Sequence, residues 1–309
     1  MILNYNLQPE ITQVLLLLTN RCNLKCKHCY VSSSPIGDFG LSKTRVFEII
    51  DEIHLKYGKI LLNLSGGEPL SRKKECLEIL EYASKKLIVK ILTNGTLITP
   101  NIAEKLTELN VKIRISIDGG ESKSHDFMRG FGSFEKTIEG VENLRLAGYP
   151  FKELQIYATI SSEGIQEIPK IIQFADKFGI QTIKFETLAI DGRASQYFLA
   201  DTEEKANESY KKYFKSEFND HYAEKWSIED MTVYDMSFST LNVYYNGEVY
   251  AYTYTDDLDK EIGYLGNINY ESLEKIVDSQ RLSTAILKKF LLIAKGPARS
   301  LQAYWLVKK

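Results

Sequence analysis

Between Val14 and about Leu188, six apolar runs rich in β-branched residues alternate with segments of helical periodicity. The runs are VLLLLT, ILLNLS, LIVKILT, VKIRIS, LQIYATI and TIKFET. Several intervening segments carry apolar residues at three- and four-residue spacing, which is typical of helices that pack one face on a core. Strands that alternate with helices run parallel and are joined by right-handed crossovers. The pattern therefore predicts a parallel α/β sheet, either open or closed into a barrel.

The ends of the helical segments support this interpretation. Serines stand where N-cap residues are expected and glycines where helices end: Ser42, Ser71, Ser133, Gly58, Gly148 and Gly179. A serine hydroxyl can accept a hydrogen bond from a free N–H of the first helical turn, and glycine tolerates the left-handed conformation that ends many helices. These positions predict helices that fill the connections between strands.

A distinctive motif follows each predicted strand. In chain order the motifs are RCNLKCKHC, SGGEPL, TNGT, SIDGG, SSEG and LAIDGR. The carboxyl ends of parallel strands meet on one face, where such folds place their active sites. The sequence therefore predicts one functional site built from several loops.

The first motif contains three of the four cysteines in the chain, Cys22, Cys26 and Cys29. The N-terminus has no cationic segment followed by a long apolar core, which predicts a cytoplasmic protein whose thiols stay reduced. Metal ligation or redox chemistry is then a better use of the cluster than disulfides. A structural zinc site is the alternative, but the chain has no second CxxC or CxxH, so Cys76 or a histidine would have to serve as the fourth ligand.

Charge and hydropathy exclude two classes of partner. The formal net charge is −2, with acidic and basic residues interspersed, which gives no reason to expect nucleic acid as a partner. The run VLLLL is too short to cross a bilayer, so no membrane contact is predicted.

The spacing Cys-x3-Cys-x2-Cys, with GGEP after the next strand, resembles the radical S-adenosylmethionine (SAM) enzymes. This resemblance implies that Cys22, Cys26 and Cys29 hold one 4Fe–4S cluster and leave its fourth iron open to SAM. In such enzymes an electron from the cluster cleaves SAM to methionine and a 5′-deoxyadenosyl radical, which removes a hydrogen atom from the substrate. A flavodoxin- or ferredoxin-type protein is the expected reductant.

The resemblance also assigns the other motif residues. His28 and Tyr30 are expected near the adenine of SAM. The GGEP motif, which consists of Gly66, Gly67, Glu68 and Pro69, is expected to receive the ammonium of SAM. Ser116 and Arg129 match positions that contact the ribose and the carboxylate, and Asn94 lines the rim of the site. A surface salt bridge is the alternative role for Arg129. Asp118 is interpreted as a turn residue.

The C-terminal part resembles the SPASM or twitch domains of peptide-modifying radical SAM maturases, and the resemblance as a whole covers residues 12–285. It implies a partial (β/α)6 TIM-type barrel over residues 1–199 and a small α+β degenerate SPASM-like domain over residues 200–309. No cysteine follows Cys76, and Tyr252 stands where the related domains carry a cluster-binding cysteine. We therefore expect a single cluster. Many tyrosines alternate in this part, including Tyr244, Tyr245, Tyr250, Tyr252 and Tyr254, and packing on a sheet is their expected role.

The SPASM-like part favours a ribosomally made precursor peptide as substrate. A small molecule such as a sugar, nucleoside or tetrapyrrole precursor remains the alternative within enzymes, and a non-catalytic cluster-binding or interaction protein is the alternative outside them. The outcome is either redox-neutral, such as an epimerisation or rearrangement, or an oxidation such as a crosslink. Cys76 and Tyr252 are the candidate hydrogen donors, although Cys76 also suits a buried helix position.

Overall fold

The computed structural model describes residues 10–38, 40–198, 203–215, 218, 222, 225–232, 239–251, 257–295 and 302–308. The candidate donor Tyr252 and the neighbouring Tyr254 lie outside these described residues.

All six predicted strands are present. They are β1 (Gln13–Leu17), β2 (Leu61–Ser65), β3 (Ile88–Thr93), β4 (Lys112–Ser116), β5 (Leu154–Ile160) and β6 (Thr182–Thr187). Each strand pairs in parallel with the next one along the chain. The predicted parallel sheet is therefore confirmed, with its strands in sequence order.

Helices fill the connections between these strands, and two more follow β6. They are α1 (Lys43–Tyr57), α2 (Lys73–Ser84), α3 (Pro100–Glu108), α4 (Ser122–Arg129), α5 (Ser133–Leu146), α6 (Ile168–Phe178), α7 (Ala194–Tyr197) and α8 (Glu203–Lys215). Short 3-10 helices span Pro69–Arg72, Phe151–Glu153 and Ser162–Glu167, and later helices span Asp257–Gly263, Leu273–Ile276 and Ser279–Lys295. Apolar periodicity does not predict α4, which is short and strongly polar.

The predicted N-caps are partly wrong. Ser42 does cap α1, since its hydroxyl accepts a hydrogen bond from the backbone N of Arg45 at 3.2 Å. Ser71 instead lies inside the 3-10 helix Pro69–Arg72, because Pro69 begins a helical turn two residues earlier. Ser133 is the first residue of α5 rather than its cap, and its hydroxyl donates to Asp126. A serine before an apolar run predicts a nearby helix start better than it predicts the capping residue.

Strands from the C-terminal part extend the same sheet at both edges. They are β7 (Trp226–Thr232), β8 (Thr240–Val243), β9 (Glu248–Tyr250), β10 (Tyr264–Asn267) and β11 (Gln302–Lys308). The strand order is β10-β9-β8-β1-β2-β3-β4-β5-β6-β11-β7. β8 pairs in parallel with β1, whereas β11 pairs antiparallel with both β6 and β7. Residues before and after position 199 thus contribute to one continuous sheet.

Asn246-Gly247, a strong local hairpin signal, forms the turn between β8 and β9. The two strands pair antiparallel, and Gly247 has a φ of 87°, a conformation that glycine adopts without strain. Tyr244 and Tyr250 are almost fully buried, with their rings edge to face and their centroids 5.2 Å apart. Packing on the sheet is therefore the observed role of these two tyrosines.

The two faces of the six-strand sheet differ sharply. Alternate strand residues such as Leu16, Leu64 and Ile183 are fully buried in the main core with the apolar residues of the helices. The opposite, inner face of β1 instead carries Leu15 beside a small cluster of Leu17, Tyr244 and Tyr250. Because side chains alternate along a strand, the helices cover one face and leave the inner face to other contacts.

Within the described part of the chain, no helix is long and apolar enough to cross a membrane.

Replacing neighbouring leucines of β1 tests this assignment of faces. Leu16→Ala leaves a cavity in the main core and should reduce the free energy of unfolding by about 2–5 kcal/mol. Leu15→Ala removes a half-buried side chain from the inner face and should cost less than half as much. Urea denaturation of both variants measures the difference, and equal losses would contradict the assignment.

Candidate functional site

The three clustered cysteines lie on the loop that follows β1. Cys22 and Cys26 are buried, with 6% and 9% of their surface exposed, and Cys29 is half-buried. Two backbone N–H groups point at their sulfurs, because Leu24 N lies 3.4 Å from Cys22 Sγ and Ser33 N lies 3.3 Å from Cys29 Sγ. The loop is thus folded around its sulfur atoms.

The donor set fits an iron–sulfur cluster. Burial raises the pKa of Cys22 to about 12 and that of Cys26 to about 11, so both are neutral thiols until a metal replaces the proton. Within the described residues, no three Cys, His, Asp or Glu side chains converge on the position of a single metal ion. A 4Fe–4S cluster makes a different demand, since each thiolate binds its own iron.

The GGEP loop after β2 packs directly against the start of the cysteine loop. Gly67 N donates to Thr19 O at 2.6 Å, and Glu68 N donates to Arg21 O at 2.9 Å. A Cβ on Gly66 would lie 2.5 Å from Thr19 O, and one on Gly67 would lie 2.4 Å from Arg21 O. Both glycines are therefore required by close approach to the protein's own backbone, whatever they also do for a ligand.

Glu68 is fully buried and joins this loop to the end of β3. Its carboxylate accepts hydrogen bonds from Leu70 N at 3.1 Å, Thr93 Oγ1 at 2.8 Å and Asn94 N at 2.7 Å. Burial raises the pKa of Glu68 to about 7, although these three hydrogen bonds oppose the rise. Pro69, also buried, begins the 3-10 helix that follows.

Asn94 connects the end of β3 to the cysteine loop. Its Nδ2 donates to Asn23 Oδ1 at 3.0 Å and lies 3.9 Å from Cys22 Sγ. Its Oδ1 accepts from Thr96 N at 3.0 Å. The TNGT motif therefore contacts the cysteine loop, as the convergence of strand ends predicts.

Arg129 and Asp118 form a buried ion pair beside the cysteine loop. Arg129 Nε lies 2.6 Å from Asp118 Oδ2, and Nη2 donates to Oδ1 at 3.0 Å. His28 Nε2 lies 3.5 Å from the same Oδ2, and burial lowers the pKa of His28 to about 4. Although burial opposes it, the Arg129 guanidinium holds the pKa of Asp118 below its usual range. The interpretation of Arg129 as a surface salt bridge is therefore wrong, since the ion pair is buried, whereas Asp118 does lie in a bend after β4.

The remaining predicted site residues lie at different depths. Tyr30 is 38% exposed at the end of the cysteine loop, and Ser116 is half-buried at the end of β4, level with Tyr157 of β5. Cys76 has no exposed surface and lies in the main core on α2. Burial raises the pKa of Cys76 well above its usual range.

Arg193, after β6, is a site residue that the sequence analysis does not identify. Its buried guanidinium donates from Nη1 to Cys26 O at 2.6 Å and from Nη2 to Ser33 O, while its backbone N donates to Cys29 O at 3.0 Å. The preceding Gly192 has a φ of 54°, and a Cβ there would lie 2.1 Å from Tyr30 O. The motif LAIDGR marks this strand end in the sequence. The partners of Arg193 are backbone carbonyls from a distant loop, and the sequence does not reveal such contacts.

We predict that Arg129→Met destabilises the protein in the absence of SAM. The change leaves the Asp118 carboxylate buried without its partner, which should cost about 3–5 kcal/mol of unfolding free energy. The double variant Asp118→Asn, Arg129→Met should recover part of that loss. Denaturant titration measures both. Unchanged stability of Arg129→Met, with weaker SAM binding alone, would show that the ion pair adds nothing to the fold.

We also predict that Arg193→Met loosens the cysteine loop. The carbonyls of Cys26 and Ser33 each lose a guanidinium donor, which should cost about 1–3 kcal/mol and speed amide hydrogen exchange over residues 26–34. Arg145→Met is the matched control, because Arg145 is exposed on α5 and pairs with Glu142. Exchange rates in that loop that match those of the control would contradict the prediction.

Comparison with known proteins gives the family. A profile of the Radical SAM superfamily matches residues 16–175. The chain is 40% identical over 185 residues to an AdoMet-dependent heme synthase of Methanosarcina barkeri, a match that covers 58% of this chain and 51% of that protein. It is 33% identical over 180 residues to the mycofactocin maturase MftC of Mycolicibacterium smegmatis, covering 58% of this chain and 45% of MftC. The matched region thus corresponds to about half the length of these relatives.

Solved structures share the architecture. The structure of anSMEcpe with bound AdoMet superposes with a TM-score of 0.62 at 17% identity, covering 88% of this chain and 81% of that one. Streptococcus suis SuiB bound to S-adenosylmethionine gives a TM-score of 0.64 at 16% identity, covering 89% and 67%. These likenesses confirm the α/β fold of the partial-barrel type. Since the superfamily profile covers more than half of the chain, the protein belongs to the Radical SAM superfamily, whose enzymes use a 4Fe–4S cluster and S-adenosylmethionine.

Proposed function

We propose that the protein cleaves SAM reductively at a single 4Fe–4S cluster and removes a hydrogen atom from a ribosomally made precursor peptide. The observation that carries the proposal is a continuous set of contacts around the cysteines. The GGEP loop contacts the cysteine loop, Glu68 joins it to Asn94, and Asn94 approaches Cys22. Motifs from three strand ends thus meet at three buried or half-buried thiols.

In this proposal Cys22, Cys26 and Cys29 bind the cluster, which supplies the electron for SAM cleavage when it is bound. Arg193 holds the carbonyls of the cysteine loop and fixes its shape. The chain's own residues exclude water around the sulfurs, since Cys22 and Cys26 are buried.

The proposed SAM contacts are the residues that match the motifs of the family. The loop bearing Gly66 and Gly67 presents its backbone to the ammonium of SAM, and Glu68 orients that loop from below. His28 and Tyr30 flank the adenine. Ser116 and Arg129 lie towards the ribose and the carboxylate, with Arg129 positioned by Asp118.

Two observations bear on the substrate. MftC is named as a maturase, and SuiB, which has the same fold, has been solved with its precursor peptide SuiA. Both support a precursor peptide. A tetrapyrrole is the second candidate, because the heme synthase of Methanosarcina barkeri is 40% identical over the matched region. A flavodoxin- or ferredoxin-type protein is the proposed reductant in either case.

The fate of the substrate radical depends on the groups within reach. Cys76 is buried in the core on the helix side of the sheet, so it is poorly placed to return a hydrogen atom. The sequence supplies no cysteine after Cys76 for an auxiliary cluster. An oxidation would then return its electron to the SAM-binding cluster, whereas a redox-neutral reaction would draw its hydrogen from a donor other than Cys76.

The test is anaerobic SAM cleavage. After reconstitution with iron and sulfide and reduction, the parent protein should form 5′-deoxyadenosine with SAM. This activity should fall by at least about 100-fold in the variant with Cys22, Cys26 and Cys29 all changed to alanine, because the cluster then has no ligands. Cys76→Ala is the matched control and should retain activity. Candidate precursor peptides and coproporphyrin III are then compared for stimulation and for a mass change.

Failure of the parent to cleave SAM with its cluster intact, with or without these substrates, would overturn the proposal. Equal activity of the triple variant would overturn the role of the three cysteines. Modification of coproporphyrin III and of no peptide would transfer the assignment to the second candidate.

A further inference from the structure

The inner face of the barrel sheet carries an unusual excess of positive charge. Basic residues outnumber acidic ones on β1–β6: Lys90, Lys112, Arg114 and Lys184 against Glu186. Lysine and arginine are rarely buried in a fold unless they are paired. Two of these residues, Lys90 and Lys184, are only 7% and 6% exposed, so an opposite charge is expected near each of them.

Strand register places these basic residues on the side away from the helices. Lys90 lies between Val89 and Ile91, and both of these neighbours belong to the main core with the helices. Lys184 is likewise flanked by core residues, Ile183 and Phe185. Since side chains alternate across a sheet, the charged groups belong to the inner face.

The contacts of Arg114 and Lys184 form one group. Lys184 Nζ lies 3.2 Å from Glu186 Oε2, and the Tyr157 hydroxyl donates to the same carboxylate. Arg114 Nη2 donates to Gln155 Oε1 at 3.3 Å, and its guanidinium carbon lies 5.8 Å from the centre of the Tyr157 ring. The single strand carboxylate is thus already engaged by Lys184 and Tyr157.

Lys90 differs from the others in having no partner within the described part of the chain. It is only 7% exposed, and among the described residues its ammonium makes no hydrogen bond or ion pair. Burial, together with the positive charges of Arg114, Lys112 and Lys184, lowers the pKa of Lys90 to about 7. An unpaired buried cation destabilises the free protein, and an anion would relieve that cost.

We propose that Lys90, Arg114 and Lys184, termed here the inner cationic cluster, bind a carboxylate group of the substrate. This inference rests on the proposed function, because it assigns the substrate's anchoring group within the same barrel. A carboxylate suits the cluster because the guanidinium offers a planar pair of donors and the ammonium a point charge. The carboxylate comes from an acidic side chain of a peptide or from a carboxylated tetrapyrrole.

The position of the cluster separates it from the SAM contacts. Lys90 precedes Thr93 by three residues on β3, which places it about 10 Å below the strand end. The motifs proposed to bind SAM lie at and beyond the strand ends. A substrate carboxylate held at this depth would fix which carbon of the substrate faces the mouth of the barrel.

The experiment is calorimetric binding to the SAM-loaded, cluster-containing protein with two matched pairs of probes. One pair is a pentapeptide with two glutamates and its glutamine counterpart, and the other is coproporphyrin III and its tetramethyl ester. In one of the pairs the parent should bind the carboxylate member at least about tenfold more tightly than the neutral one. That preference should fall below about threefold in Lys90→Met and persist in Lys85→Met, an exposed control beside Glu81. The pair that shows the preference identifies the source of the carboxylate.

Three results would overturn the inference: no preference for either carboxylate in the parent, full preference in Lys90→Met, or equal loss in Lys85→Met. Thermal unfolding without ligand gives an independent readout. Lys90→Met should raise the melting temperature because it removes an unpaired buried charge, and a lowered melting temperature would mean that Lys90 supports the fold instead.

Measurements of SAM binding and cleavage distinguish a failure of this inference from a failure of the proposed function. Lys90→Met should bind SAM as the parent does, and a parallel loss of SAM affinity would reassign the cluster to the cofactor. If the parent cleaves SAM but shows no carboxylate preference, the inference alone fails. If the parent does not cleave SAM, the proposed function fails whatever the probes show.

Discussion

The site depends on the approach of two backbone segments at the carboxyl end of the sheet. The GGEP loop lies so close to Thr19 and Arg21 that only glycine fits at Gly66 and Gly67. The hydrogen bond from Gly67 N to Thr19 O joins the loop after β2 to the residues that lead into the cysteine loop. Because the contact is between backbones, it positions the thiols without relying on flexible side chains.

A second set of contacts, made by Arg193, also holds the cysteine loop in place. Arg193 reaches it from the end of β6, whereas the GGEP loop reaches it from the end of β2. The loop after the first strand is therefore held by elements far apart in the sequence. Buried carbonyls outside helices and strands usually need hydrogen-bond donors from elsewhere in the chain. When they have such donors, the loop that carries them has a defined shape.

The protein buries charged side chains in two different settings, one with an ion pair and one without. Asp118 and Arg129 neutralise each other beside the cysteine loop, so their burial is compatible with a stable fold. Lys90 has no such partner among the described residues and is surrounded by other cations on the inner face. A paired charge of this kind supports structure, while an unpaired one is destabilising in the free protein and favourable only when a ligand supplies the opposite charge.

The sequence by itself determined the six parallel strands, the order of their helices and the convergence of the strand-end motifs, because hydrophobic periodicity and turn residues are local signals. It did not determine where the helices near Ser71 and Ser133 begin, the hydrogen bonds of Arg193 to the cysteine loop, or the pairing of β11 with β6. Tertiary structure decided these, since they depend on backbone groups and strand edges brought together from distant positions. Motif spacing predicts which residues bind a cluster and SAM. Only the folded chain shows that Glu68 is buried between the GGEP loop and the end of β3, and that Lys90 has no partner among the described residues.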